Sequence, residues 1–566
     1  MRYTAVVAAL VSVQTFVPVG ASRCHCLPSE TCWPAASQWS ALNATVDGRL
    51  LATVPIGTPC HDPNYNEAAC AALQSEWTLP QRHLASSSSV MQTYFANQSC
   101  DPFTPQSQAC VLGNYVSYAV NVSSTSDVVA ALSFAHKNNV RIVIRNTGHD
   151  YFGRSTGAGG LSIWTHHLKD IEFLNYSSSA YTGPAAKVGA GVIGAEALAA
   201  AHANNYVIVT GECPTVGIAG GYTQGGGHSA LSTTFGLGAD QTLEFQVVTA
   251  LGKVVTASAS QNSDLYWALS GGGGGTYGVV ISMTVKVYPE ATVGGASLQM
   301  AAASTTQEKF DQAVSQFHAM LPNMTDHGAM VIYYLNNAVF VINPITVYNS
   351  TAAYVRDTVL GPFIAVLADL GIPSSVAYTE LSYYDHYSKY MGPLPYGNIG
   401  VGEYQYGSRL IPRSVLENDN DNAALQAALQ NLTAHGVLAV GSSASYVKPV
   451  GVNNSVLPAW RETTVHIQLG TPWNETAPWA DMVAAQIQMT NEFVAQVEAV
   501  TPGSGAYVNE ADFRQPNWQE TFFGANYATL LAIKRHWDPN SMFYGLRTVG
   551  SDTWTVANDG RMCTST

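Results

Sequence analysis

Two short segments, each with one nucleophilic side chain beside glycine, constrain this chain more than any other feature of its sequence. They are RNTGHDY at residues 145–151 and GECPTVG at residues 211–217. Each follows a short apolar run, at 141–145 and 206–210, that predicts a buried strand. Loops at strand ends commonly carry ligand-binding residues, and glycine lets the backbone approach a flat or anionic ligand closely. We therefore expect His149 and Cys213 to face a single ligand.

The order of predicted elements indicates an α+β protein. Before residue 290 we predict strands at 116–122, 141–145, 187–191, 206–210, 243–250, 253–257 and 279–287, with helices at 126–138 and 195–203. A Gly/Ala/Ser stretch at 291–303 marks a boundary. Beyond it, helical runs alternate with β-rich segments such as 330–342, 403–411 and 463–469. This later region predicts a separate substrate domain, an antiparallel sheet covered by helices.

Composition and charge exclude several classes of partner. The chain has 24 Lys and Arg against 38 Asp and Glu, a formal net charge of -14, so nucleic acid is not an expected partner. An apolar run at 5–17 followed by Val-Gly-Ala predicts a signal peptide at 1–21, too short to span a bilayer. We expect a secreted protein without a membrane span. Sequons begin at Asn43, Asn97, Asn121, Asn175, Asn323, Asn349, Asn431, Asn453 and Asn474, and predict N-linked glycans.

The cysteine count separates one thiol from the rest. Of 9 cysteines, all but Cys213 and Cys563 precede residue 111. In an oxidising compartment the even remainder supports up to four disulfides, with Cys60/Cys70 and Cys100/Cys110 as evenly spaced candidates. Cys213 is then the odd thiol. The alternatives are an inert buried Cys213 and a metal-ligand fragment at Cys24-His25-Cys26, and we expect no metal site.

The two segments resemble the berberine-bridge-enzyme-like flavoproteins of the vanillyl-alcohol-oxidase and p-cresol-methylhydroxylase superfamily. The resemblance covers roughly residues 110–290 and 500–550. It implies FAD bonded at its 8α carbon to His149 and at its C6 carbon to Cys213, held in a two-part FAD-binding domain of the p-cresol-methylhydroxylase type. We expect a signal peptide at 1–21, a disulfide-rich segment at 22–113, the FAD-binding domain at 114–290, the substrate domain at 291–500 and a returning C-terminal segment at 501–566.

The resemblance also implies further cofactor-binding residues. The first loop would wrap the FAD pyrophosphate with converging backbone N–H groups, and the glycine loop at 217–228 would run along the flavin ring. Val216 matches a position where a small side chain leaves room for oxygen. Besides His149 and Cys213, the predicted cofactor contacts are Arg145, Asn146, Thr147, Gly148, Gly153, Arg154, Ser155, Thr156, Val216, Gly217, Gly221, Gly226, Gly227, His228, Asn526 and Tyr527.

Hydride abstraction beside a hydroxyl or amine requires a group that accepts the heteroatom's proton. Tyr151 matches a substrate-facing tyrosine of the family, with a packed aromatic as the alternative. Glu510 stands where many relatives have a second tyrosine, and a buried carboxylate there is expected to have a raised pKa. On the predicted strand at 463–469, alternation sends His466 and Gln468 to the face opposite Val465, Ile467 and Leu469. The catalytic candidates are Tyr151, Glu510, His466 and Gln468.

Two other patterns in the sequence allow different interpretations. Residues 189–194 read GAGVIG between a strand and a helix, which matches the Rossmann dinucleotide fingerprint. The following unit does not continue the alternation of strands and helices, and that interpretation leaves His149 and Cys213 without a role. A second pattern is a run of tyrosines between residues 383 and 406, which can stack on a ring or pack structurally.

These features predict a secreted FAD oxidase that transfers hydride from an alcohol or hemiacetal, with oxygen reduced to hydrogen peroxide. The first expected substrate class is a mono- or oligosaccharide, and the second is a phenolic or alkaloid-like compound. The expected partners are this small molecule and oxygen, and the expected state is a monomer. The alternatives are a non-catalytic extracellular flavin- or carbohydrate-binding glycoprotein and an NAD(P)-type Rossmann dehydrogenase.

Overall fold

The computed structural model of the protein describes residues 23–565, so the predicted signal peptide lies outside the described residues. An N-terminal segment with helices α1 (Ala36–Thr45), α2 (Glu67–Ser75), α3 (Pro80–Leu84) and α4 (Thr93–Ala96) precedes the first long helix. Disulfides join Cys24 to Cys563, Cys26 to Cys32, Cys60 to Cys70 and Cys100 to Cys110. Among the described residues Cys213 is the free cysteine, as the count predicts, and the Cys60/Cys70 and Cys100/Cys110 pairs are present.

Two sheets form the part of the chain before residue 290. The strands of this part are β1 (Leu50–Ala52), β2 (Tyr118–Asn121), β3 (Ile142–Arg145), β4 (Leu161–Trp164), β5 (Ile171–Ser177), β6 (Thr182–Gly189), β7 (Tyr206–Val207), β8 (Thr242–Val248), β9 (Val254–Ser258), β10 (Val279–Lys286) and β11 (Tyr288–Pro289). Strands β7 and β11 pair with each other outside the two sheets. The first sheet has the order β1-β2-β4-β3 and the second β5-β6-β10-β8-β9. The helices are α5 (Thr125–Asn138), α6 (Gly194–Ala203), α7 (Ser232–Phe235) and α8 (Ser263–Leu269).

Side-chain hydrogen bonds cap the first turns of α5 and α6, the two helices that precede the strands leading to His149 and Cys213. Asp127 accepts the backbone N–H of Ser124 at 3.1 Å, which satisfies a free donor at the start of α5. Glu196 accepts the N–H of Ile193 at 2.9 Å in the same way at α6. Each helix is followed within a few residues by a strand, β3 or β7, and the chain then enters the predicted ligand loop.

The Rossmann interpretation of residues 189–194 is wrong. Strand β6, which ends at Gly189, pairs antiparallel with both β5 and β10. A dinucleotide-binding unit requires a parallel strand-helix-strand arrangement at this point. The glycines serve close packing instead, since a Cβ at Gly191 would lie 2.3 Å from the carbonyl oxygen of His166.

A seven-stranded antiparallel sheet dominates the region from 292 to 472. Its strands are β12 (Thr292–Ala301), β13 (Ala329–Leu335), β14 (Val339–Tyr348), β15 (Ser375–Ser382), β16 (Tyr404–Pro412), β17 (Leu438–Ser443) and β18 (Thr463–Pro472), in the order β15-β12-β14-β13-β17-β18-β16. The helices between and after these strands, up to residue 499, are α9 (Gln307–Asp326), α10 (Ala352–Tyr354), α11 (Gly361–Leu370), α12 (Tyr383–Tyr390), α13 (Arg413–Glu417), α14 (Asp419–Ala434), α15 (Trp479–Gln488) and α16 (Ala495–Ala499). The segment predicted at 330–342 is a hairpin of β13 and β14.

The two faces of this sheet differ as the alternation along β18 predicts. Val465, Ile467 and Leu469 are buried in a core that includes residues of α9, α11 and α14. The intervening residues His466 and Gln468 face a large cavity. The sheet therefore has one face covered by helices and the other directed at the first two sheets. These features confirm the α+β class and the antiparallel, helix-covered sheet.

The C-terminal residues return to the first part of the molecule. Helices α17 (Trp518–Phe523) and α18 (Tyr527–Trp537) are followed by the hairpin β19 (Trp554–Val556) and β20 (Met562–Thr564). Tyr507, Val508 and Phe522 belong to the same hydrophobic core as Val188 and Phe245 of the five-stranded sheet. Within residues 23–565, no helix is both long and apolar enough to cross a bilayer. The five intervals predicted from the sequence remain our proposed division of the chain.

Candidate active site

A cavity of about 630 Å³ separates the loops after β3 and β7 from the open face of the seven-stranded sheet. This volume is within the usual range for small-molecule and cofactor sites. The structure brings most of the predicted site residues to its wall. Those in the lining are Asn146, Thr147, Gly148, His149, Tyr151, Arg154, Ser155, Cys213, Val216, Gly217, Gly221, His228, His466, Gln468 and Glu510.

His149 and Cys213, the two residues predicted to attach the flavin and called the tethers below, both contact Thr215. The sequence did not point to Thr215. His149 Nε2 lies 2.8 Å from Thr215 Oγ1, and Cys213 Sγ lies 3.3 Å from the same oxygen. One hydroxyl thus contacts both nucleophiles. The two side chains reach the cavity from different loops and are close enough to attach to one ring system.

Burial determines the protonation of both tethers. Burial, together with the nearby His83 and Arg145, lowers the pKa of His149 to about 3, so the imidazole is neutral and keeps a free lone pair. Burial also raises the pKa of the Cys213 thiol, although a hydrogen bond from Thr215 acts in the opposite direction. The neutral imidazole of His149 has the lone pair that a bond to an electrophilic ring carbon requires, whereas the thiol of Cys213 must first lose its proton to become nucleophilic.

Arg145 supports the first loop from behind instead of lining the cavity. Its guanidinium donates to the carbonyl oxygens of Ser86 and Thr147, both at 3.3 Å. Gly148 has a φ of +87°, and a Cβ there would lie 2.7 Å from Arg145 Nη1. The guanidinium of Arg145 therefore lies under the turn that holds His149 and outside the cavity lining, and its predicted contact with the cofactor stays a prediction.

Asp150 takes up backbone donors that the sequence analysis assigned to the cofactor. Its carboxylate accepts the N–H groups of Phe152 at 3.1 Å, Arg154 at 2.6 Å and Ser155 at 3.0 Å. These three amides are engaged within the protein, and the contact of the loop with a pyrophosphate stays a prediction. Asp150 uses them to close the turn locally, and the turn presents the side chains of His149 and Tyr151 to the cavity.

Arg154 is the residue of this loop best placed to meet an anion. Its Nε and Nη1 donate to the carbonyl oxygens of Leu546 and Val508, at 2.9 Å and 3.2 Å. Its Nη2 is buried without a hydrogen-bond partner among the described residues. Since Arg154 lines the cavity, an unpartnered guanidinium nitrogen fits a pyrophosphate-bearing cofactor such as FAD.

Six other predicted cofactor contacts lie outside the cavity lining of the described chain, and four of them pack behind the loops. Gly153 lies against Phe95, since a Cβ there would be 2.4 Å from its ring. Thr156 Oγ1 donates to Asn114 O at 2.7 Å. Gly226 accepts the N–H of Ala239 at 2.8 Å. Gly227 donates its N–H to Tyr507 Oη at 3.2 Å.

The remaining two, Asn526 and Tyr527, support the returning C-terminal segment. Asn526 Nδ2 donates to the carbonyl oxygens of Ser455 and Val456, at 3.1 Å and 3.2 Å. Tyr527 Oη accepts a hydrogen bond from Gln519 Nε2 at 3.2 Å. Neither residue is in the cavity lining, and the predicted roles of Asn526 and Tyr527 in cofactor binding stay predictions.

A cluster of titratable groups lies where the second glycine loop, β18 and the C-terminal segment meet. His228 Nε2 is 3.2 Å from both carboxylate oxygens of Glu510, and His228 Nδ1 is 3.3 Å from Glu212 Oε1. His466 Nδ1 lies 3.6 Å from Glu510 Oε2. The sequence predicted His228 only as a residue of the loop along the flavin. In the structure it lies at the centre of a cluster of acid-base groups.

The charges in this cluster oppose the effect of burial. Burial acts to raise the pKa of the Glu510 carboxyl, but the charge and hydrogen bond of His228, with His466, lower it overall. Burial likewise acts against the His228 cation, yet Glu510 and Glu212 raise the pKa of His228 well above its usual value. Burial lowers the pKa of His466 to about 4. The raised pKa expected for Glu510 is therefore wrong, because an adjacent imidazolium outweighs desolvation.

Tyr151 and Gln468 meet at the side of the cavity formed by the sheet. Gln468 Nε2 donates to Tyr151 Oη at 3.4 Å. The rings of Tyr151 and Tyr406 stack with centroids 4.1 Å apart and an interplanar angle of 9°. Burial, with Tyr406 and Glu510 nearby, raises the pKa of Tyr151 well above its usual value. The phenol of Tyr151 therefore stays protonated and acts as a hydrogen-bond donor instead of a base.

Thr215, Glu212 and Asp150 are the site residues that sequence reasoning missed. Each is the neighbour, within two positions, of a tether that the sequence did identify.

The run of tyrosines is divided: Tyr404 and Tyr406 line the cavity, whereas Tyr383 and Tyr387 pack in the core. The ligand atoms of His228, His466 and Glu510 lie within 4.8 Å of one another, so this set could also hold a metal ion.

Comparison with known families and proteins agrees with this geometry. The FAD binding domain family matches residues 116–258, and the family described as berberine and berberine like matches residues 506–545. The chain is 53% identical over 545 residues to the FAD-linked oxidoreductase ZEB1 of Gibberella zeae, an alignment that covers 96% of this chain and 95% of that protein.

Two solved structures share the architecture. The VAO-type flavoprotein MtVAO615 from Myceliophthora thermophila C1 superimposes with a TM-score of 0.94 at 42% identity, covering 96% of this chain and all of the other. A glucooligosaccharide oxidase from Acremonium strictum, described as carrying a 6-S-cysteinyl, 8α-N1-histidyl FAD, has a TM-score of 0.62 at 20% identity. That alignment covers 77% of this chain and 92% of the other, and at this identity it shows a shared fold only.

Proposed function

Because this chain belongs to the berberine-bridge-enzyme-like family of FAD-linked oxidoreductases, we propose that it is a secreted oxidase with its flavin attached through both His149 and Cys213. The proposed substrate carries a C–H bond beside a hydroxyl group. It is a saccharide alcohol or hemiacetal, or a phenolic or alkaloid-like compound. Oxygen is the proposed electron acceptor and hydrogen peroxide the second product.

The observation that carries this proposal is the meeting of the two nucleophiles at Thr215. His149 Nε2 and Cys213 Sγ contact the same hydroxyl, at 2.8 Å and 3.3 Å, on the wall of one cavity. The Acremonium strictum oxidase is described as using the same two residue types to hold FAD. A single attachment would leave one of these buried, neutral side chains without a function, so we propose that both are used.

FAD, when bound, accepts the hydride and passes the electrons on to oxygen. The protein must supply the proton acceptor, and Glu510 is the group proposed for it. Its carboxylate lines the cavity and is ionised, since its pKa is lowered. A substrate hydroxyl at this position would give its proton to Glu510 as the hydride leaves the adjacent carbon. The His228 cation stabilises the Glu510 carboxylate before the transfer.

Tyr151 and Gln468 are proposed to orient the substrate. Tyr151 leaves the same turn as His149, and its phenol remains a donor. Gln468 Nε2 donates to Tyr151 Oη, and the phenol of Tyr151 is also hydrogen-bonded to Tyr406, so Tyr151 is proposed to orient the substrate as part of this network. His466 remains the reserve proton acceptor, because it is the neutral imidazole that contacts Glu510.

The test combines attachment and turnover in the secreted full-length protein. Acid precipitation and peptide mass analysis should find flavin on the peptides of both His149 and Cys213. Chemical reduction without air, followed by admission of air, should restore the oxidised spectrum within seconds and release peroxide. A colourless precipitate, or reoxidation that takes many minutes, would contradict the proposal.

The rival function is a non-catalytic flavin- or carbohydrate-binding glycoprotein. It predicts ligand binding without bleaching of the flavin colour under any substrate. Secretion and glycosylation are shared by both proposals, and the four disulfides and nine sequons support them. Release of the protein into the medium with a mass that falls on glycosidase treatment would test that part separately.

A further inference from the structure

One stretch of the cavity wall belongs to no helix or strand. Residues 398–403, called the wall segment below, line the cavity between α12 and β16. The residue proposed to orient the substrate lies nearby, because Tyr404 follows the wall segment directly and Tyr406 stacks on Tyr151. Since the wall segment has no helical or sheet hydrogen bonds of its own, its position depends on bonds to neighbouring parts of the chain.

Two backbone hydrogen bonds join the wall segment to two distant parts of the sequence. Val401 donates its N–H to Thr78 O, in the N-terminal segment, at 2.9 Å. Trp473, which follows β18 directly, donates its N–H to Glu403 O at 2.7 Å. The wall segment is therefore anchored at Thr78 and at Trp473.

The side chain of Glu475 connects these two anchors. Its Oε1 accepts the indole N–H of Trp77 at 3.1 Å, and its Oε2 accepts the indole N–H of Trp473 at 3.0 Å. Trp77 is buried and directly precedes Thr78, the first anchor. Trp473 is itself the second anchor. A single carboxyl group therefore fixes the distance between the two parts of the chain that hold the wall segment.

A second carboxyl group, that of Asp101, contacts Glu475. Asp101 is 4% exposed, and it follows Cys100, which is bonded to Cys110. Its carboxylate also accepts the N–H of Phe103 at 2.8 Å, so Asp101 cannot easily turn away. Two buried carboxyl groups in contact cannot both ionise at low cost, and they therefore share a proton. Burial, together with Asp101, raises the pKa of Glu475 to about 8, and burial raises the pKa of Asp101 as well.

The other titratable groups that face this pair, within the part of the chain that the structure describes, are His61 and Tyr115. His61 Nε2 lies 2.9 Å from Asp101 O, and a positive charge on His61 acts to lower the pKa of Asp101. Burial, with both carboxyl groups, raises the pKa of Tyr115, although Arg145 acts in the opposite direction. The phenol of Tyr115 therefore stays neutral. Because the His61 contact is made to a backbone oxygen, the shared proton is what chiefly offsets the repulsion between the carboxyl groups.

We propose that Glu475 and Asp101 are positioning residues, which hold the wall segment against the cavity through the proton that they share. At acidic and neutral pH the protonated pair keeps Trp77 and Trp473 together. A raised carboxyl pKa stabilises the folded arrangement fully below the ordinary value of about 4.3, and this stabilisation is lost as pH rises through the raised value. Above about pH 8 the two charges repel, and the anchors of the wall segment separate. The assignment rests on the proposed function only in taking the cavity as the substrate site.

Hydrogen exchange of the full-length, flavin-loaded protein, followed by peptide mass analysis, tests this attachment without any turnover. Exchange is compared at about pH 6 and about pH 9, after correction for its intrinsic dependence on pH. Protection of peptides that cover the wall segment should fall roughly tenfold, the change expected one unit above a pKa of about 8. Peptides of β13 should keep their protection. Equal protection of the wall segment at both pH values would overturn the proposal, whereas the peroxide and attachment tests decide the oxidase function independently.

Two variants separate the shared proton from simple packing. In Asp101→Asn the amide donates to the Glu475 carboxylate at every pH, so protection at the higher pH should return to its value at the lower one. Glu475→Gln should also remove the pH step, because an amide does not titrate, and it guards against misfolding of the first variant. Asp47→Asn is the matched control, at an exposed residue of the N-terminal segment outside the cavity lining, and should keep the full step. A full step in both Asp101→Asn and Glu475→Gln would overturn the role of the pair.

Discussion

The carboxylate of Glu212 lies 3.3 Å from His228 Nδ1, on the opposite edge of the imidazole from Glu510. Glu212 is also the residue before the Cys213 tether. The adjacent residues Glu212 and Cys213 therefore connect the predicted flavin attachment to the acid-base cluster of His228 and Glu510. Two carboxylates on one ring keep the imidazole of His228 protonated, and the resulting cation keeps Glu510 ionised.

Replacement of Glu510 by glutamine should remove the proton acceptor without affecting flavin attachment. We expect the rate of flavin bleaching by substrate to fall by roughly a hundredfold or more, the usual scale for a lost acid-base group. Tyr151→Phe should slow the same step less, because the phenol stays protonated and only orients the substrate. Anaerobic stopped-flow measurement checks both. Near-normal rates in Glu510→Gln would contradict this role of Glu510 and indicate that His466 accepts the proton.

The rate of flavin bleaching by substrate should fall only at strongly acidic pH. The pKa of Glu510 is lowered, so its active, ionised form persists below the ordinary glutamate value of about 4.3 and is lost as pH falls further. A pH profile of flavin bleaching should therefore be level from neutrality down to about pH 4.5. An inflection near pH 6 would instead indicate a raised carboxyl pKa or an essential neutral histidine.

Glu212→Gln should shift this acidic limb to higher pH. Loss of one of the two carboxylates lowers the pKa of His228, which reduces the charge that holds Glu510 ionised. Glu290→Gln is the matched control, because Glu290 also contacts a histidine, His202 at 3.1 Å, but lies outside the cavity lining. The profile of the control should match that of the unmodified protein. Identical profiles for both variants would show that Glu212 does not act on Glu510 through His228.

Loss of either tether should leave singly attached flavin. We expect His149→Ala to retain flavin on the Cys213 peptide, and Cys213→Ala to retain it on the His149 peptide, because the two residues lie on separate loops. Thr215→Val should slow attachment at both sites, since one hydroxyl contacts both nucleophiles. Mass analysis of peptides during reconstitution with FAD measures this. Unchanged attachment in Thr215→Val would limit Thr215 to a packing role.

Val216→Leu should slow reoxidation by oxygen without preventing reduction. Val216 lines the cavity beside the Cys213 loop, and a larger side chain there would occupy space next to the flavin. Reduction without air followed by mixing with oxygen measures the rate. The control is the rate of flavin bleaching by substrate, which should change little. Rapid reoxidation in Val216→Leu would mean that oxygen reaches the flavin by another route.

Local sequence determined which side chains face the cavity, because a strand repeats every two residues and a loop begins where its strand ends. His149, Cys213, His466 and Gln468 could be assigned in this way. The same information could not determine what lies across the cavity, since contacts such as His228 with Glu510, 282 residues apart, depend on how separate sheets pack. Burial beside an imidazolium, not burial alone, then decided the direction of the Glu510 pKa. In the same way, only the folded turn showed that Asp150 uses the amides expected to bind the cofactor and that Arg145 lies beneath the loop, because side-chain competition for nearby donors depends on three-dimensional distance.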